Sequence, residues 1–406
     1  MSQLRALALR NLLRHRGRTA MTLLAIVAGV SSLILAAGFI DDLFFQLGEA
    51  VIHSQTGHLQ VGKKGFFSYG SRSPEKYLME DSKADRLAIT SLPQVADVMA
   101  RVRFSALIGN GRADLAVQAE GVEPDREAKL GSYIMMAQGR PLRDADAFGI
   151  VLGAGVAQAL RLAPGDVVTL LVSTGEGALN TLDFEVVGTF RTFSKDFDAR
   201  TVRIPIGAAR ELLASPGVNT LVVSLRDTAD TQHVAAQFER LIAGRPFEVK
   251  TWSELNDYYG KTVQLYRRQL GVLQVIILVM VGLGVVNLVN MAVLERIGEF
   301  GTMRALGNTA GQVFRLVLAE NALLALAGGV LGVAAGALLA WLISAVGIPM
   351  PPPPNADIGY TARIRLAPAA VAIAFGVGFL ATLAAAIAPA WRVSRMPVAE
   401  QLRHNV

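Results

Sequence analysis

Few side chains in this sequence stand at spacings that support covalent chemistry. Cysteine is absent from all 406 residues, which excludes disulfides, thiolate metal centres, cysteine nucleophiles and a lipidated N-terminal cysteine. The five histidines, His15, His53, His58, His233 and His404, are scattered. They lack metal-ligand spacing, and no Ser/His/Asp set can be assembled around them, so neither a metal centre nor a hydrolase is supported. Residues 255–262 end in Gly260-Lys261-Thr262 as a phosphate-binding loop does, but Leu255 stands where the cradle needs its first glycine. What remains is a chemistry of contact, and it is concentrated at 295–307. There Glu295 and Glu299 lie four apart on one helical face, and Phe300, Met303 and Gly307 share another. Such a segment reads as a short helix lying at a membrane, one side charged and one side apolar. Gly307 suits its C-terminal stop, and Thr309 with Gln312 has the capping-box spacing for a following helix.

A helix of that kind needs membrane spans to either side, and the composition supplies them. Hydrophobic residues make up 52% of the chain and charged residues 18%, whereas a soluble domain is about a quarter charged. The apolar excess sits in four charge-free runs, 19–40, 270–294, 322–348 and 366–391, each long enough to cross a hydrocarbon core of ~30 Å. The flanks orient them. Arg5, Arg10, Arg14, Arg16 and Arg18 precede the first run, while Asp41, Asp42 and Glu49 follow it, and the tail carries Arg392, Arg395 and Arg403 against Glu400. Both termini are therefore expected in the cytosol. A cleaved leader ending near Ala36-Ala37-Gly38 is disfavoured, because the apolar run exceeds the ~7–15 residues of a leader. The net charge of +6 belongs to these membrane edges. Basic residues are not interleaved with stacking aromatics, so nucleic-acid binding is not expected.

The expected fold class is an α-helical membrane protein with four transmembrane helices plus a large α+β extracytoplasmic domain between helices 1 and 2. Alternating runs at 58–61, 167–172, 182–188 and 220–225 predict strands, and helical spacing appears at 208–213 and 231–242. The stretch 151–170 reads as strand, short helix, turn and strand, which leaves room for an inserted β subdomain. Residues 252–268 read as an amphipathic helix continuing into the second span. Gly328, Gly332 and Gly336 repeat every four residues in the third span and mark a face that another helix, from this chain or a second copy, can approach closely. Asn287 and Asn290 in the second span are polar groups suited to a protein neighbour or to the interface.

The pattern Glu295-Arg296-x-x-Glu299-Phe300-Gly301-x-Met303-Arg304-Ala305-Leu306-Gly307 resembles the signature of the MacB/FtsX superfamily of ABC-transporter permeases. The start, 9–19, and the end, 389–403, are similar to that family's amphipathic N-terminal helix and C-terminal motif, so the resemblance covers essentially the whole chain. Within the superfamily it is most similar to the LolC/LolE-type lipoprotein-releasing permeases, on Thr56-Gly57-His58-Leu59-Gln60-Val61 and on the Pro-rich stretch 348–354. Arg10-Asn11-Leu12-Leu13-Arg14 follows the broader superfamily instead. The resemblance implies a cytosolic N-terminal helix at 1–18, spans at 19–46, 266–294, 312–348 and 366–391, a periplasmic domain at 47–265, a cytosolic coupling helix at 295–311, a periplasmic Pro-rich loop at 349–365 and a cytosolic tail at 392–406, all in a bacterial inner membrane. It assigns Glu295, Arg296, Glu299, Phe300, Met303, Arg304 and Leu306 to coupling with an ABC ATPase dimer. ATP and Mg would be bound by that ATPase and no cofactor by this chain, which is expected to work beside a second permease chain. The implied cargo is a lipoprotein or other lipophilic molecule, with a periplasmic carrier as a possible recipient. The cargo-facing candidates are Phe44, Phe45, Leu47, Val51 and Ile52. Efflux of small amphipathic molecules, or regulation of a periplasmic partner, is the alternative.

Overall fold

The computed structural model describes residues 16–70, 73–352 and 359–403. The amphipathic helix expected over 1–18 therefore lies, apart from its last three positions, outside the described residues, as do Pro353, Pro354 and His404. The chain forms two compact units, one made of residues up to Phe44 with Val263–Pro349 and the chain from Thr361, the other of Phe45–Thr262 with Met350–Tyr360.

The first unit is helical. Four helices are long and apolar enough to cross a membrane, and they lie within Arg16–Val51, Asp257–Leu294, Ala310–Val346 and Pro368–Arg395. All four extend beyond their charge-free runs, because polar residues in a helix already nucleated by an apolar core add hydrogen bonds at little cost. The core is built from stripes at fourfold spacing: Ile26, Val30 and Ile34 of the first span, Val285, Val289 and Val293 of the second, and Val313 and Val317 of the third. The fourth contributes small residues, Ala385, Ala386 and Ala390. Its start is set by Pro368 in the first turn, where a missing N–H costs nothing. The third helix starts at the expected capping box: the Gln312 N–H donates to Thr309 Oγ1 at 3.3 Å and the Thr309 N–H to Gln312 Oε1 at 2.7 Å.

The second unit carries a ten-stranded sheet. Its strands are β1 (Leu59–Lys63), β2 (Val95–Gly109), β3 (Asp114–Val122), β4 (Met135–Gly139), β5 (Gly149–Gly153), β6 (Val167–Ser173), β7 (Leu179–Arg191), β8 (Thr201–Pro205), β9 (Thr220–Leu225) and β10 (Phe247–Thr251). They run in the order β10-β1-β9-β2-β3-β8-β5-β7-β4, with β6 pairing both β2 and β7. All four strands expected from alternation are present. No separate β subdomain is inserted at 151–170, because β5 and β6 are strands of this same sheet. Val234, Ala235 and Phe238 of the helix Thr231–Leu241, and Ala208, Ala209 and Leu212 of the helix Ile206–Leu212, are buried in its core. The helix expected over 252–268 is broken at Asn256: Trp252–Leu255 is a separate turn closed by a Thr251/Glu254 capping box. The Asn256 carboxamide then accepts the Tyr259 N–H at 2.9 Å and starts the long helix Asp257–Leu294.

Candidate functional site

The coupling segment folds as the helix Ile297–Ala305 between the second and third spans. Its seven candidate residues divide by the direction they face. Phe300 is fully enclosed and Met303 packs against the same core. Arg296 lies over the Phe300 ring at 5.1 Å and forks onto both carboxylate oxygens of Glu320 in the third span, at 2.6 and 3.3 Å, while its Nε reaches Glu299 at 2.9 Å. Arg304 donates to the carbonyls of Ser394 and Met396, at 3.2 and 2.7 Å, where the fourth helix ends. Two guanidinium groups thus fix this short helix to two different spans. Phe300 is thus taken up inside the bundle, while Arg296, Met303 and Arg304 are half-buried and bind the helix to it. The outward rim carries Glu295, Glu299 and Leu306, the last 81% exposed. Gly307, with φ of 99°, turns the chain behind it. Glu320, the partner of Arg296, was not picked out in the sequence, although a lone acid in an otherwise apolar helix was its signal.

The glycine stripe faces the first span of the same chain. A Cβ at Gly328 would lie 2.8 Å from Ile26, at Gly332 2.8 Å from Val30, and at Gly336 3.2 Å from Ile34. The Ser31 hydroxyl donates to the Gly332 carbonyl at 2.9 Å, so these glycines bring two backbones together rather than waiting for a second chain. Asn287 in the second span is exposed and Asn290 half-buried.

Of the five cargo candidates, Phe44, Val51 and Ile52 are enclosed, which corrects their reading as an open apolar surface. The Arg267 guanidinium stands 5.6 Å from the centre of the Phe44 ring. Phe45 is exposed and Leu47 half-buried.

A second polar assembly, in the sheet unit, went unread in the sequence. The first long helix ends in a π-helical turn, Ile52–Thr56, stopped by Gly57 at φ of 67°. Five carbonyls at this end are occupied. Ser54 Oγ donates to Ala50 O at 2.6 Å, the Gly57 N–H to Ile52 O at 2.9 Å, Arg203 Nη2 to Ser54 O at 2.9 Å, Arg101 Nη1 to Gln55 O, and Gln60 Nε2 to Thr56 O at 2.8 Å. Arg101 is wholly buried and Arg203 nearly so. Glu127 bridges both of them, and Glu120 lies 3.0 Å from Arg203 and 3.0 Å from Arg103. Burial pushes the Glu120 carboxyl up, but the three surrounding arginines outweigh it and hold it at about 2. Beside the turn, His58 accepts the Leu225 N–H on Nδ1 at 3.1 Å and donates from Nε2 to Thr228 at 3.1 Å. Burial, with His53 adding to it, pushes this imidazole down to about 4, which agrees with the neutral tautomer that the two bonds require. Among the described residues no group of three or more His, Asp or Glu gathers as a metal site.

The family model of the MacB-like periplasmic core domain matches residues 19–241, and that of the FtsX-like permease C-terminal domain matches 271–398. The lipoprotein-releasing system transmembrane protein LolC of Neisseria meningitidis is 25% identical, over 95% of this chain and 94% of its own length. The macrolide export ATP-binding/permease protein MacB of Escherichia coli is 25% identical, over 83% of this chain and 52% of its own. The solved periplasmic region of MacB from Actinobacillus actinomycetemcomitans covers 53% of this chain and 95% of that one at 13% identity, with a TM-score of 0.37. With both halves matched in order, and with the sheet domain falling in sequence between the first and second of four spanning helices, the chain belongs to the MacB/FtsX family of ABC-transporter permeases.

Proposed function

We propose that this permease is driven by a separate ABC ATPase dimer and frees lipoproteins, or similarly lipophilic molecules, from the outer leaflet of a bacterial inner membrane. The observation that carries this reading is the loop helix Ile297–Ala305: Arg296 ties it to the third span and Arg304 to the end of the fourth, so force applied at its rim is delivered to the bundle. Near end-to-end similarity to a protein named for lipoprotein release supports the cargo class. On this reading the rim is cytosolic, as are both termini, and the sheet domain is periplasmic, where it hands cargo to a carrier. ATP and Mg belong to the ATPase, and a second permease chain, identical or paralogous, completes the complex. Drawing an acyl chain out of hydrocarbon costs ~0.8 kcal/mol per CH₂, so release needs ATP turnover and a sheltered path. The similarity to a macrolide exporter, at equal identity over 83% of this chain, favours a second reading in which the cargo is a small amphipathic molecule.

The test is affinity purification of the tagged chain in mild detergent, with mass spectrometry of the protein and lipid that accompany it. An ATPase with acylated lipoproteins is expected. An ATPase with an adaptor and small amphiphiles would move the assignment to export, and recovery of no ATPase would remove the coupling reading.

A further inference from the structure

We infer that Arg101 and Arg203 are positioning residues that pass movement of the first spanning helix into the sheet, an inference that rests on the ATP-driven function proposed above. The helix Arg16–Val51 begins in the bundle and its final turns belong to the sheet unit. Its end is gripped from three strands: β1 through Gln60, β2 through Arg101 and β8 through Arg203. In the sheet these strands stand in the order β1-β9-β2-β3-β8, so the grips spread a load across half of it instead of one strand pair.

The charges match a helix end. Arg101, Arg103 and Arg203 face Glu120 and Glu127, one positive charge in excess, and the excess is turned to the carbonyl pole of the helix, where a cation is favoured. Stability does not explain the arrangement. Buried Arg–Glu clusters roughly break even against apolar packing, and among the described residues Arg101 Nε and Glu127 Oε2 are buried without hydrogen-bond partners. Each guanidinium does, however, hold a carboxylate and a helix carbonyl at once. That forked geometry fixes the direction of the helix end relative to the strands, which a lysine cannot do.

The test uses the full chain with the ATPase that copurifies with it, in lipid nanodiscs. The absence of native cysteine allows spin labels at Phe45→Cys on the helix and Leu87→Cys on the helix Lys83–Thr90. The variant Arg101→Gln/Glu120→Gln/Glu127→Gln/Arg203→Gln removes the grips together with both carboxylates, and of the cluster leaves only the partly exposed Arg103 without its partner. In the parent chain the label distance should be single and narrow with and without ATP. In the variant it should broaden on ATP binding, and cargo released per ATP hydrolysed should fall about tenfold, the worth of one charge-assisted hydrogen bond, while ATP turnover and melting stay as in the parent. A narrow distance and unchanged coupling in the variant would overturn the inference. So would a distance already broad without ATP together with early melting, which marks a purely structural role. If the variant does not fold, Arg203→Lys is measured instead, with a smaller broadening expected and parent-like behaviour overturning the inference. Failure of the functional reading shows separately, as parent chain that stimulates no ATP turnover.

Discussion

At the scale of single residues, His58 links the sheet domain to pH. Its imidazole is buried and neutral, with its basicity lowered from 6.5 to about 4, so the unfolded chain binds a proton that the folded chain does not. Stability contributed by this group is therefore complete above pH 6.5 and is lost as the pH falls toward 4, by on the order of 3 kcal/mol. Denaturant midpoints measured across that window should show the loss, and His58→Gln, which keeps an acceptor for Leu225 but does not titrate, should flatten it. The loop helix yields a second residue-level contrast. Arg304→Glu places a carboxylate against the carbonyls of Ser394 and Met396 and should destabilise the bundle by about 2–4 kcal/mol, visible as a lower melting temperature. Glu299→Lys and Leu306→Glu, on the rim, should cost at most about 1 kcal/mol, the worth of the half-exposed Arg296–Glu299 pair, and reduce recovery of the ATPase.

At the scale of elements, the glycines separate into two kinds. Gly332 lies in the seam between the first and third helices, where a Cβ would stand only 2.8 Å from Val30, and Gly332→Ala should cost about 1–3 kcal/mol through forced separation. Gly282 in the second helix has open space around it, and Gly282→Ala should gain about 0.5–1 kcal/mol from helix propensity and lost unfolded-state freedom. Opposite shifts in thermal unfolding in detergent check the pair. The spans, the capping box at Thr309 and strands such as β6 and β9 were legible because their signals are local: length, periodicity of two or 3.6, and a polar cap at fixed spacing. The break at Asn256 was not, since it depends on a capping box that competes with an equally good helical pattern. The grip on the first helix was not legible at all. Arg101 and Arg203 stand far apart in sequence, and β8 is buried at every position, so no alternation marks its arginine as unusual. Phe44, Val51 and Ile52 were misread for the complementary reason: apolar residues after a span look the same whether they are open or enclosed.

At the scale of the whole molecule, the proposed dock between this permease and its ATPase has a charged rim, Glu295 and Glu299, around the exposed Leu306. Exposed charge contacts weaken as the screening length falls from ~10 Å at 0.1 M salt to ~3 Å at 1 M. Copurification of the ATPase should decline across that range while the four-helix bundle, held by buried aliphatic stripes and the Arg296–Glu320 pair, keeps its melting temperature. Equal recovery at both salts would place the binding energy on other surfaces.

The Arg296–Glu320 pair also bears on how the protein is made. A carboxylate inside a helix entering lipid carries a penalty, relieved here by an arginine that precedes that helix in the chain. The third helix is thus at its most lipid-averse when alone and at its least when the second helix and their connecting loop are already beside it, which makes the two a hairpin that enters the membrane together.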